Sequence, residues 1–123
     1  MTHGIVSIMT FLILLSSCKP SEVRSIDVKL KVLHHQQIVP NTTIYLKKGV
    51  TIFPGFDTTE YEDIILSDDQ GIVRFNNLQA GNYYLLGLGH DGVDSVYGHQ
   101  PLVLNRTMLD LEIEQIMWVS EVH

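Results

Sequence analysis

From Ile26 to Val32 the chain alternates apolar and polar residues without a break. Ile26, Val28, Leu30 and Val32 fall on one side, with Asp27, Lys29 and Lys31 on the other, which is the two-residue period of a strand with one face on a core. HHQQIVPN follows as a turn, in which His34 and His35 read as solvated. TTIYLKK predicts a second strand with Thr42, Ile44 and Leu46 on one face. EDIILS predicts a third, IVRFNNL a fourth with Val73 and Phe75 inward, and NYYLLGLG a fifth. A short sixth strand, PLVL, begins at Pro101, which cannot donate to a ladder and so suits an edge. The last, LDLEIEQIMWV, sets Leu109, Leu111 and Ile113 against Asp110, Glu112 and Glu114. No stretch after Cys18 has helical spacing of useful length. About seven short strands with turns between them predict an all-β fold, an antiparallel β-sandwich.

Two longer connections carry the candidate chemistry. GVTIFPGFDTTEYED, punctuated by Pro54-Gly55, puts Phe53, Phe56 and Tyr61 on an otherwise polar loop. Aromatic residues so placed either contact a ligand, as binding hot spots do, or fold back as a lid on the core. Asp57, Glu60, Glu62 and Asp63 add acid there, enough at most for a weak cation site. GHDGVDSVYGHQ is a Gly-rich loop with His90, Asp91, Asp94 and His99 as candidate metal ligands, side chains that a zinc-type ion takes. Closeness in sequence does not converge ligands on one point, so a solvated polar loop is the competing expectation.

GLGHDG, Gly87 to Gly92, is a literal G-x-G-x-x-G. A dinucleotide site needs a helix to open there so that its first amides hold a pyrophosphate, and VDSVYGHQP cannot open one. It reads as loop. SDDQG, from Ser67, lacks the alternating acids and distant Glu of a calcium loop. It reads instead as a turn, with Asp68 bonding its own amides and Gly71 reversing the chain at positive φ. No Ser/His/Asp or Cys/His arrangement stands out, so neither an enzyme nor a cofactor is expected.

The apolar run from Ile5 to Leu15 is too short to span a bilayer and suits the h-region of a signal peptide. Leu15-Ser16-Ser17-Cys18 resembles the bacterial lipobox, whose Cys receives a diacylglycerol and becomes the first mature residue. The n-region MTHG departs from that pattern in carrying no Lys or Arg. The resemblance implies a signal peptide over 1–17, lipidation of Cys18, a tether over 18–25 and the sandwich over 26–123. Two acyl chains suffice for stable membrane anchoring. Lys19 is not the Asp that marks inner-membrane retention, so the outer membrane is expected, on its surface or its periplasmic face. Cys18 is the sole cysteine, so no disulfide is left to staple the domain. With a net charge of −6 and no basic run, nucleic acid is excluded as a partner.

Asp68, Gly71, Val73, Phe75, Leu78, Gly81, Tyr83 and Leu85 together resemble the T-D-x-x-G-x-V-x-F-x-x-L-x-x-G-x-Y-x-L signature of carboxypeptidase regulatory-like and Cna-B-like domains. IVPNTTIYL is similar to their G-x-P-x-x-x-A-x-V-x-L strand, with Thr42 at the small position. The match runs from Ile26 to Ile113, and the loops resemble those of small lipoproteins of Bacteroidetes-type bacteria. It implies a transthyretin-like, Ig-like Greek-key sandwich serving as a non-catalytic binding, adhesion or assembly module with a protein or glycan ligand. Two alternatives stand beside it. One is a metal-binding or metal-dependent hydrolytic protein using the 90–99 loop, the other an accessory subunit of an outer-membrane complex. The Tyr-Arg-Gly-Ser ending of the hydrolases on this fold is absent. An internal Lys–Asn isopeptide bond has no Asn on the last strand to receive Lys29 or Lys31.

Overall fold

The computed structural model describes residues 24–122. The expected signal peptide, Cys18 and the expected tether up to residue 23 lie outside the described residues. Among the described residues nine strands run in order: β1 (Ile26–His34), β2 (Gln37–Ile38), β3 (Thr43–Lys48), β4 (Asp63–Leu66), β5 (Ile72–Leu78), β6 (Gly81–Asp91), β7 (Asp94–Leu104), β8 (Glu112–Trp118) and β9 (Ser120–Glu121). Two of them have only two residues, which leaves seven of substance, as the alternation predicts. Single 3-10 turns occur at Thr58–Glu60 and Arg106–Met108.

One sheet is built around β1. Leu33 pairs with both Ile38 and Trp118, and Lys29 with both Arg74 and Glu114. Hence β8 fills one edge of β1, while β5 and β2 share the other. The second sheet has the order β4-β3-β6-β7-β9 and is antiparallel throughout. The antiparallel sandwich stands with one departure, for β8 runs parallel to β1 from Asp27↔Glu112 to Leu33↔Trp118. Its cause is the connection after β7. That segment returns to the start of β1, where Asp110 N–H donates to Ser25 O and Asp27 N–H to Leu111 O, so β8 sets out from the end at which β1 begins.

The core lies between the inner faces. Ile26, Val28, Leu30 and Val32 of β1, with Val73, Phe75 and Met117, meet Ile44, Leu46, Tyr83, Leu85, Val96 and Leu102. Burying such side chains stabilises by about 1.5–3 kcal/mol each, the main favourable term in a domain without disulfides. Leu111 differs from its expected inward place. Asp110 adopts φ 67° and breaks the alternation, β8 begins only at Glu112, and Leu111 is left exposed.

Residues 87–100 are also not a loop. β6 and β7 are eleven-residue strands joined by Gly92–Val93 alone, with Gly92 at φ 66°, the first position that a type II′ turn reserves for Gly. Gly87 and Gly98 face each other across this hairpin. A Cβ on Gly87 would stand 2.6 Å from Met117 Sδ, and one on Gly98 2.8 Å from the Trp118 carbonyl oxygen. Bare backbone here lets β8 close over the second sheet, so these glycines serve packing. Pro101 sits where β6 is its neighbour on one side and β9, which pairs only Val96 and Tyr97, has ended.

Candidate functional site

On the outer face of the five-stranded sheet the register places Tyr45, Leu86 and His99 abreast, beside Leu88 and Tyr97. The connection between β3 and β4 folds across them. Phe53 stacks on His99 at 3.8 Å between centroids and 6° between planes, and Tyr84 Oη lies 2.9 Å from His99 Nδ1. Phe56 meets Tyr97 edge-on at 5.6 Å, and the Tyr61 hydroxyl donates to Gly55 O at 2.8 Å. Leu86 is wholly buried under this cover although it points away from the sandwich core. Of the three aromatic residues for which ligand contact and folding back were the two expectations, Tyr61 is therefore buried, Phe53 is half-buried and Phe56 is 56% exposed. The loop folds back, but onto the outer face of one sheet. Loss of water raises the Tyr61 phenol above its ordinary value, with Tyr84 adding to the effect.

Two acids of that loop are engaged locally. Asp57 caps the short turn, accepting from the Thr59 hydroxyl at 2.6 Å and amide at 3.1 Å, bonds that hold its carboxyl below the usual value. Glu62 lies near Lys47. In SDDQG, Asp68 Oδ1 accepts from Gln70 N–H at 2.8 Å and Ile72 N–H at 3.0 Å, and Gly71 sits at φ 72°. It is a turn stapled by its own carboxylate.

His90, Asp91, Asp94 and His99 do not converge. Successive residues of a strand point to opposite faces, so His90 shares the outer face with His99 while Asp91 and Asp94 pair on the inner one. His99 belongs to the aromatic cover, and His90 lies against Ser95. Asp91 reaches across to His34, which corrects the solvated placing of that histidine. His34 keeps the inward phase of Ile26 to Val32 as the last residue of β1 and is 3% exposed.

At this end of the sandwich four polar side chains from both sheets meet. His34 Nδ1 and Asp91 Oδ2 are 2.6 Å apart. Glu121 Oε1, on β9, stands 3.5 Å from His34 Nε2 and 3.5 Å from His35 Nε2. The turn His35-Gln36 has φ 50° and 67°, a type I′ geometry normally left to Asn and Gly, and it folds the His35 ring back to 4.0 Å from that of His34. His34 Nε2 is buried with no hydrogen-bond partner among the described residues.

The outer face of the four-stranded sheet changes character along β8. Near the start of β1, Glu112 and Glu114 face Arg74 and Lys29 at 3.7 and 3.9 Å. Farther on, Trp118 and Ile38 flank Leu33 on either side, and Ile116 pairs with Lys31. Trp118 is 57% exposed and Ile116 47%. This patch was available in the sequence, because Ile116 and Trp118 keep the phase of Glu112 and Glu114, the solvent phase of the strand.

No family model matches the chain, and a search among curated proteins finds no match either. Among solved structures, it is similar to the crystal structure of the group B streptococcus pilus 2b backbone protein, with a TM-score of 0.52 at 15% identity. The likeness covers 82% of this chain and 43% of that one, so the chain spans less than half the length of that protein. At this identity the likeness is one of fold.

Proposed function

We propose that this chain is a non-catalytic envelope module, tethered by lipid on Cys18, that joins a protein partner in an assembly through the outer face of its four-stranded sheet. The observation that carries this reading is the exposed Trp118 among Leu33, Ile38 and Ile116. Scattered apolar residues on a surface mean little, but a clustered patch centred on Trp is the composition of an interface hot spot. The fold likeness to a pilus backbone protein favours assembly over catalysis. The lipobox-like LSSC and the run before it support anchoring, and Lys19 supports the outer membrane as the destination. A metal-dependent hydrolase on His90, Asp91, Asp94 and His99 gains nothing from the geometry, since the hairpin sends them to opposite faces.

The test is photo-crosslinking in cells that make the full chain, with the crosslinker at position 118 and, as control, at the exposed Val93. One dominant protein adduct at 118 and none at 93 is expected, together with release of the Cys18→Ala protein from membranes. Equal yields at the two positions, or Cys18→Ala remaining membrane-bound and uncleaved, would overturn the proposal. Protection from protease on intact cells would assign the periplasmic face.

A further inference from the structure

We infer that His34, His35 and Glu121 form a binding site for a zinc-type divalent transition metal, with Asp91 as the residue that orients His34. Three potential ligand atoms lie within 4.8 Å of one another. Their spacing is the stronger argument. Bonds of about 2.0–2.1 Å in a tetrahedral site put ligand atoms about 3.3 Å apart. Glu121 Oε1 lies 3.5 Å from each imidazole Nε2, close to that edge length and too long for charge-assisted hydrogen bonds of about 2.7–2.9 Å.

Burial points the same way. His34 Nε2 is an unpartnered polar atom on a residue 3% exposed, and burying such an atom without a partner is costly. Its other nitrogen is 2.6 Å from Asp91 Oδ2. A proton on Nδ1 donated to Asp91 leaves Nε2 with a free lone pair 3.5 Å from Glu121 Oε1, the carboxylate–histidine arrangement that fixes a metal-binding tautomer. Two left-handed non-glycine residues in the turn, His35 and Gln36, supply the bend that brings the second imidazole alongside. Two imidazoles and one carboxylate suit zinc, whereas calcium takes six or more oxygens. Three protein ligands leave a tetrahedral ion one position for water or a ligand atom. The ligands come from β1 with its turn and from β9, so the ion would clamp one sheet to the other.

The experiment is equilibrium dialysis and thermal denaturation of the full chain in detergent with zinc chloride, and with calcium chloride as control. We expect one zinc per chain and a midpoint raised by about 10 °C at a hundredfold excess over Kd, with no shift from calcium. Because His34 is buried, the deciding variants are His35→Ala, whose side chain is 77% exposed, and Glu121→Gln. Both should fold, and both should lose the bound zinc and the shift. Asp91→Asn should keep the stoichiometry and weaken affinity about ten- to a hundredfold. Wild-type chain that binds no zinc, His35→Ala that binds it unchanged, or loss of binding in His90→Ala would overturn the inference.

Discussion

A phenol that gives up its hydration on folding resists ionisation, because the charged form gives up most. Burial raises both Tyr61 and Tyr83 above the value of 10.0 for a free tyrosine. A raised folded value means that their contribution to stability is complete below pH 10 and is lost as pH climbs through the folded value. Alkaline spectrophotometric titration should therefore show phenols ionising above pH 10. Tyr61→Phe and Tyr83→Phe should each remove one from that late phase. At this scale the sequence is most legible where phase is unbroken. Val28, Leu30 and Val32 are buried as their alternation requires, and His34 and Trp118 obey the same parity. Their roles are hidden by neighbours, since HHQQ looks like one polar turn and IMWV like one apolar run.

Among the elements, the β1–β2 turn sets stability against chemistry. Left-handed backbone costs a residue other than Gly about 1–2 kcal/mol, less for Asn. Replacing His35-Gln36 by Asn-Gly should raise metal-free stability by about 1–2 kcal/mol in urea denaturation while abolishing any zinc response. A variant no more stable than the wild type would mean that the turn carries no strain. The β6–β7 hairpin shows why glycine misleads. Gly89, Gly92 and Gly98 suggest a loop, yet only Gly92 turns the chain, and a Cβ on Gly89 would lie 2.8 Å from Thr42 Oγ1. What glycine permits is decided by the strand lying over it, a contact remote in sequence. The aromatic loop is opaque for a similar reason. Composition brings Phe53 and Tyr61 to notice, but nothing local says that His99, so much farther along the chain, is the surface on which Phe53 lies.

For the molecule as a whole, the sandwich follows from strand periodicity, whereas the partners of each strand do not. That β8 lies beside β1 and parallel to it depends on where the β7–β8 connection crosses, which no short-range pattern encodes. Closure of the two sheets rests on the Gly87–Gly98 pair. Gly98→Ala would press a methyl group against the Trp118 backbone, so the sheets must separate slightly, at a cost of about 1–3 kcal/mol. Chemical denaturation measures it, and an unchanged midpoint would show that β8 has room to move.

The parallel pairing of β1 with β8 also has a mechanical consequence. β1 begins beside the tether and β8 ends near Glu121, so the two leave the ladder at opposite ends. If the anchor pulls on the start of β1 while a partner holds the Trp118 end of β8, the strands slide along each other. All the rungs from Asp27↔Glu112 to Leu33↔Trp118 are then loaded together, whereas a hairpin pulled from its open end unzips rung by rung. The β1–β8 pair is built as a lap joint, suited to staying shut when the proposed anchor and partner pull on its two ends.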